Sequence, residues 1–257
     1  MKESTTMSDH LQLLGSSVNH LADVASRLTA EHYSDRAYPS EWSIADTFSH
    51  LGSGAVIGQR RFEDEVAGRD NDPSFNQTVW DAWNAKDPSA QVHDALASDA
   101  SLLEVLETSS EEERQAFHFT LGPFSFDFGG LVGLRLGEHV LHTWDVEVVL
   151  NPSATLANEA ANAILDRIQF VVQRTGKSSG ESKELRLRTL EPLRDFSLVV
   201  DLDSVNLLPA SHDGSVDLEL SAEALVRAIY GRLDLEHCPT ELHGPALETL
   251  RQTFPGF

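Results

Sequence analysis

Residues 137–145 read GEHVLHTWD and place a glutamate, two histidines and an aspartate inside an otherwise apolar, helix-forming run, FGGLVGLRLGEHVLHTWDVEVVL. At about 100° per residue, Glu138 and His142 lie one helical turn apart, and Asp145 returns to nearly the same azimuth. A Glu and a His at this i, i+4 spacing can bind one divalent ion, while a third ligand comes from elsewhere in the fold. The segment therefore predicts a helix that contributes two ligands to a metal site with an open position.

Two other interpretations of the same helix stay open. Arg135, Glu138, His142 and Asp145 can equally form a solvated face that carries i, i+3 and i, i+4 salt bridges. His139 also competes with Glu138 as a ligand, because it lies three residues before His142. The order is E-H-x-x-H and not the H-E-x-x-H of zinc proteases, so the protease interpretation has little support.

Four long helices are predicted in the first part of the chain. Apolar residues recur at helical spacing, and the second helix begins with the capping-box pair Ser43 and Asp46. The predicted helices span about residues 8–27, 43–68, 89–107 and 128–150. Long helices joined by modest loops favour a four-helix bundle, which we assign to residues 1–153.

The pattern changes after residue 153. One more helix is predicted at about residues 156–174, and alternating apolar and polar residues then indicate strands. The predicted strands cover residues 184–190, 196–205 and 215–220, and two helices follow at residues 221–233 and 244–254. We therefore assign residues 154–257 to a smaller α+β domain.

His50 is the candidate for the ligand from elsewhere in the fold. It lies about two turns into the second helix, in the segment EWSIADTFSHL. The small residues Ser49, Gly52, Ser53 and Gly54 would let another helix or a ligand approach it closely. A lone histidine of this kind is more often structural or exposed, so its position alone does not make it a ligand.

Composition excludes several classes of partner. The formal net charge is −22, whereas binding to nucleic acid or to an anionic membrane surface needs clustered Lys and Arg. No segment of the sequence approaches the roughly 18 consecutive apolar residues that a membrane span needs. The first residues are polar and lack the apolar region of a signal peptide, so we expect a cytoplasmic protein. Because Cys238 is the only cysteine, any metal must be held by His and carboxylate ligands.

The W-S-x-x-D-x-x-x-H-L and E-H-x-x-H-x-W-D segments together resemble the DinB-like metal-binding superfamily. Within it, they are most similar to the branch of mycothiol-dependent maleylpyruvate isomerases and mycothiol S-transferases. This resemblance implies a DinB-like four-helix bundle that binds a divalent metal, typically Zn²⁺, through His50, Glu138 and His142. It also implies a sterol-carrier-like C-terminal α+β domain, in which Gly231 and Arg232 match a helix that ends in Gly-Arg.

The resemblance implies a metal- and mycothiol-dependent transferase or cis-trans isomerase. A His/Glu/His site with an open position suits a thiol co-substrate, because a bound cation lowers the thiol pKa. The other partner would be a small electrophile, which can be anionic. Two alternatives stay open: a non-catalytic protein that binds a small molecule or metal, and a hydrolase that uses metal-bound water without a thiol. The protein can be a monomer or a homodimer.

Two further residues, Asp145 and Arg232, have candidate roles at the site. Asp145 can hydrogen-bond His142 or hold part of the thiol's sugar, and its alternative is a surface carboxylate. Arg232 can clamp a substrate carboxylate across the domain interface, and its alternative is a salt bridge or cap at a helix end. Cys238 is predicted to be a small packing residue and not the nucleophile. Trp42 and Trp144 are predicted to pack helices without contacting a cofactor.

Overall fold

The computed structural model describes residues 7–38, 41–70, 72, 74–178 and 180–256. The chain divides into two compact units, with the change between Ala154 and Thr155. The first unit is helical apart from one small hairpin, and the second contains a four-stranded sheet. The predicted class, a helical bundle followed by a smaller α+β part, is confirmed.

The first unit is built on four long helices. Its elements are α1 (Met7–Ser26), α2 (Ile44–Val66), α3 (Phe75–Asn84), α4 (Pro88–Thr108), α5 (Glu111–Ala116), β1 (His118–Leu121), β2 (Phe124–Asp127) and α6 (Phe128–Leu150). Helix α1 packs against α4 and α6, and α2 packs against the same two helices. The predicted bundle helices correspond to α1, α2, α4 and α6, and their ends agree to within about two residues.

The start of α2 is fixed by the predicted capping box. The Ser43 hydroxyl accepts a hydrogen bond from the Asp46 backbone N–H at 3.1 Å, and the Asp46 carboxylate accepts one from the Ser43 N–H at 2.9 Å. Such a cap is worth about 1 kcal/mol and sets where the helix begins. Further along, a Cβ on Gly52 would lie 2.9 Å from the Cα of Ala95 on α4. The small residue thus lets α2 and α4 approach closely.

The elements α3, α5 and the β1–β2 hairpin were not predicted. Their sequences are short, and the hairpin strands have only four residues each, paired from His118 with Asp127 to Leu121 with Phe124. The hairpin is held by aromatic packing, with the rings of Phe119 and Phe126 stacked at a centroid distance of 5.1 Å. Single-sequence periodicity gives no signal for a pair of strands this short.

Within residues 155–178 and 180–256, the second unit contains a mixed sheet and four helices. Its elements are α7 (Asn158–Leu165), α8 (Gln169–Thr175), β3 (Lys183–Leu190), β4 (Leu193–Val200), β5 (Val205–Ala210), β6 (Leu218–Leu220), α9 (Ala222–Ile229) and α10 (Pro245–Thr253). The strand order is β5-β4-β3-β6; β3, β4 and β5 are antiparallel, and β6 is parallel to β3.

Four predicted elements of this unit are wrong in extent. The strand expected at residues 215–220 covers only Leu218–Leu220, and the helix expected at residues 221–233 ends at Ile229. The single helix expected at residues 156–174 is interrupted between α7 and α8, where the Asp166 carboxylate accepts a 2.7 Å hydrogen bond from Arg194 on β4. The strand expected at residues 196–205 is two strands, because the chain turns where the Asp201 N–H bonds to the Ser204 carbonyl. None of the helices within the described ranges is long and apolar enough to cross a membrane.

Candidate metal centre

Three side chains from two helices converge in the first unit. The Nε2 atom of His50 on α2 lies 3.1 Å from Oε2 of Glu138 on α6, and Nε2 of His142 lies 3.6 Å from the same oxygen. One possible ligand atom from each residue lies within 4.8 Å of the other two. Over the residues that the structure describes, no other three His, Cys, Asp or Glu side chains come together in this way.

Asp145 orients His142. Its Oδ2 lies 2.8 Å from Nδ1 of His142, and the carboxylate is fully buried. This contact uses Nδ1, so Nε2 is the ring atom turned towards Glu138. Carboxylates often hold ligating histidines in this manner, which fixes both tautomer and ring orientation.

Trp42 covers the two imidazoles. Its ring is stacked on His142 at a centroid distance of 5.6 Å and lies 4.9 Å from the ring of His50. The two imidazoles meet edge to face at 4.7 Å. The sequence assigns Trp42 only to helix packing, and its packing partners include both candidate ligands. The W-S motif placed it next to the helix cap but gave no sign of this contact.

The ionisable groups of the cluster shift one another's pKa. Burial works to raise the pKa of Glu138, but the neighbouring imidazoles of His142 and His50 hold that pKa well below its usual range. Burial lowers the pKa of His50, although Glu138 acts in the opposite direction. For His142, burial is outweighed by the hydrogen bond with Asp145 and by the nearby Glu138 carboxylate, which raise its pKa. The carboxylate is thus ionised at neutral pH.

The site is open on one side. The side chains of His50 and Glu138 are 39% and 47% exposed, whereas that of His142 is 12% exposed. Two imidazole nitrogens and a carboxylate oxygen are the donor set of open zinc sites, which leave further positions for water or substrate. With an oriented histidine and solvent access, these residues fit a divalent ion.

His139 points away from the cluster. It is fully buried; its Nδ1 lies 2.8 Å from the Ser17 hydroxyl, and its Nε2 lies 3.3 Å from Oδ2 of Asp99. Both ring nitrogens therefore have other neighbours. The alternative of a solvated face along α6 is wrong, because Arg135 and Asp145 are both buried.

Arg232 and Cys238 belong to the second unit. Arg232 follows α9; it is buried and donates a 2.8 Å hydrogen bond from Nη1 to the carbonyl of Tyr230. Its suggested role as a substrate clamp stays a prediction. Cys238 is partly exposed, and burial raises the pKa of its thiol. A raised pKa disfavours the thiolate and therefore disfavours a nucleophilic role.

Comparison with known proteins gives the family and the fold. The family model described as "Mycothiol maleylpyruvate isomerase N-terminal domain" matches residues 14–147, a span that contains His50, Glu138, His142 and Asp145. A crystal structure of the mycothiol-dependent maleylpyruvate isomerase is similar, with 16% sequence identity and a TM-score of 0.64 over 88% of this chain and 90% of that chain. A structure of a histidine-to-alanine mutant of that enzyme has 15% identity and the same TM-score and coverage. No curated protein matches significantly.

At this level of identity, the two structures establish the fold. Together with the family model, they confirm the DinB-like bundle followed by the smaller C-terminal part that the motifs predicted.

Proposed function

Because the chain belongs to the family of the mycothiol maleylpyruvate isomerase N-terminal domain, we propose that it is a metal- and mycothiol-dependent enzyme. In this proposal, His50, Glu138 and His142 hold a divalent ion, Zn²⁺, and the enzyme acts on a small electrophile as a transferase or cis-trans isomerase. The observation that carries the proposal is the convergence of two imidazole Nε2 atoms on one carboxylate oxygen, at 3.1 and 3.6 Å.

When bound, the ion would lower the pKa of a thiol and so favour the thiolate near neutral pH. A free thiol with a pKa near 8.5 is only a few per cent ionised at pH 7, so the gain in reactive species is roughly tenfold or more. The chain's own residues prepare the site for this chemistry. Asp145 keeps the His142 ring oriented, Trp42 covers one face of both imidazoles, and the exposed side of Glu138 leaves room for the thiol and the electrophile.

The nucleophile in this proposal is a soluble thiol. Cys238 lies in the second unit, and its raised pKa disfavours the thiolate. For isomerisation, the thiolate sulfur adds to an activated double bond, the former double bond rotates as a single bond, and the C–S bond breaks to return the thiol. For transfer, the C–S bond persists: either the electrophile's leaving group departs with its bonding electrons, or the carbanion left by addition takes up a proton, and the S-conjugate is released. Arg232 is proposed to bind a carboxylate of an anionic substrate, since a net charge of −22 otherwise repels anions.

The test uses the full chain with Cys238 replaced by serine. Zn²⁺-loaded and chelator-stripped protein is incubated with maleylpyruvate, and separately with a bimane electrophile, in the presence and absence of mycothiol. We expect turnover that needs both the ion and mycothiol and survives the C238S change. Undiminished turnover without thiol would indicate a hydrolase, turnover lost with Cys238 would indicate an internal nucleophile, and tight binding without turnover would indicate a binding protein.

A further inference from the structure

A buried ionic network lies directly behind the candidate metal centre. Arg135 on α6 donates from Nη2 to Oδ1 of Asp99 on α4 and, at 2.9 Å, to the backbone carbonyl of Leu51 on α2. The side chains of Asp99 and Arg135 are 1% and 8% exposed. One guanidinium thus ties together three of the four bundle helices.

His139 extends the network to the fourth helix. Its Nε2 lies 3.3 Å from Asp99 Oδ2, a close ion-pair contact without the alignment of a hydrogen bond, and its Nδ1 lies 2.8 Å from the hydroxyl of Ser17 on α1. Because the carboxylate can only accept, Nε2 carries the proton when the ring is neutral, and Nδ1 then accepts from Ser17.

Two residues of the network are next to candidate ligands in the sequence. Leu51, whose carbonyl is held by Arg135, directly follows His50, and His139 directly follows Glu138. The network therefore links the backbone of α2 beside one ligand with the turn of α6 that carries the other two. These contacts fix the relative positions of α2 and α6 at the level of the site.

We infer that Asp99, Arg135 and His139 are positioning residues for the metal centre, holding His50 at the correct distance from Glu138 and His142. This inference rests on the proposed function, because it concerns the geometry of the proposed ion site. Buried ion pairs are poor evidence for a stabilising role, since apolar residues of similar volume often give equal or greater stability. A network that touches all four helices beside the ligands is better suited to defining their positions.

The experiment compares metal binding with folding stability. Asp99→Asn removes the central charge, and Asp64→Asn is the matched control. Asp64 is also a buried carboxylate, 3% exposed, and it accepts hydrogen bonds from Arg60 and Arg69. It lies 14 residues after His50 on α2, about 21 Å along the helix axis. Zn²⁺ affinity is measured by chelator competition, the visible spectrum of the Co²⁺ form reports coordination geometry, and urea unfolding is measured on metal-free protein.

We expect Asp99→Asn to weaken Zn²⁺ binding by about tenfold, the lower end of the loss seen when a direct partner of a metal ligand is removed, and to alter the Co²⁺ spectrum. Asp64→Asn should lower stability yet leave Zn²⁺ affinity within about twofold of wild type. Wild-type Zn²⁺ affinity and an unchanged Co²⁺ spectrum in Asp99→Asn would overturn the inference.

A double variant keeps the test decisive if Asp99→Asn does not fold. Asp99→Leu with Arg135→Met replaces the charged pair by apolar residues, which buried sites often tolerate. The inference holds if this variant binds Zn²⁺ at least tenfold more weakly while its unfolding midpoint equals or exceeds that of wild type. It fails if Zn²⁺ affinity is unchanged. Wild-type protein that binds neither Zn²⁺ nor Co²⁺ would overturn the proposed function as well, whereas tight binding without thiol-dependent turnover would count against the proposed function alone.

Discussion

Replacing Glu138 with glutamine separates the role of this residue in metal binding from its role in stability. The substitution preserves the shape of the side chain and removes the charge. Glu138 and His50 are 47% and 39% exposed, and ion pairs this exposed contribute about 0–1 kcal/mol. The metal-free variant should therefore unfold within about 1 kcal/mol of wild type.

The expected effect on metal binding is much larger. An ion at 1,000 times its Kd stabilises the folded protein by about 4.1 kcal/mol. Removing a residue that only hydrogen-bonds a metal ligand weakens metal binding by about 10- to 100-fold. Losing a ligand itself should therefore weaken Zn²⁺ binding by at least about 100-fold. At the same Zn²⁺ concentration, the stabilisation then falls to about 1.4 kcal/mol or less. For a unit of this size, the rise in Tm caused by Zn²⁺ falls from roughly 8–16 °C to at most roughly 3–6 °C.

The assay is thermal unfolding with and without Zn²⁺, and the control is Glu147→Gln. Glu147 is on the same helix and also contacts a histidine, with its Oε2 2.7 Å from Nε2 of His20. It lies outside the cluster of candidate ligands, so its variant should keep the full rise in Tm. If Zn²⁺ raises the Tm of Glu138→Gln as much as that of wild type, Glu138 is not a ligand. That result would favour Zn²⁺ binding through the histidines of the E-H-x-x-H segment.

Three further predictions concern other residues. Asp145→Asn should weaken Zn²⁺ binding by about 10- to 100-fold, measured by chelator competition, because Nδ1 of His142 loses its carboxylate partner. Arg232→Lys should reduce kcat/KM for anionic substrates about tenfold or more with unchanged metal content, because lysine cannot form the two parallel bonds of a guanidinium; wild-type kinetics would make it a purely structural residue. The hydrogen bond from Arg188 and that from a backbone N–H lower the pKa of Asp195 to about 2. Above pH 4, Asp195→Asn should therefore have a lower free energy of unfolding in urea than wild type, and this difference should vanish as pH falls towards 2. A difference that does not change with pH would exclude the Asp195 carboxylate as its source.

The local sequence pattern is sufficient to predict the helices that bury a long apolar stripe. The spacing in residues 128–150 predicts α6 over its full length, and the Ser43–Asp46 capping box predicts the first turn of α2. The interruption between α7 and α8 has no such local signal, since it coincides with an ion pair between residues 28 positions apart. Tertiary contact therefore overrides helical periodicity at that point.

At the candidate site too, some residues can be predicted from the local sequence pattern, whereas others depend on tertiary contacts. The i, i+4 spacing is enough to put Glu138 and His142 on one stripe, but His50 is 88 residues before Glu138, and only the resemblance to a family connected them. The burial of Asp99 cannot be predicted from the sequence, because a single aspartate in a long helix usually faces solvent. Its burial depends on Arg135 being drawn into the same interior, and that pairing exists only once the bundle has formed.

The exposed sides of His50 and Glu138 also bear on which ion would occupy the proposed site after purification. An ion held by side chains 39% and 47% exposed can leave and be replaced without unfolding of the bundle. Divalent first-row ions compete for a nitrogen and oxygen donor set in an order that favours Cu²⁺ and Ni²⁺ over Mn²⁺ and Fe²⁺, so supply decides occupancy as much as affinity does. Protein from cells grown in different media, or passed over a nickel resin, should therefore differ in metal content. Reconstitution from stripped protein with one defined ion at a time is the preparation that makes kinetic measurements comparable.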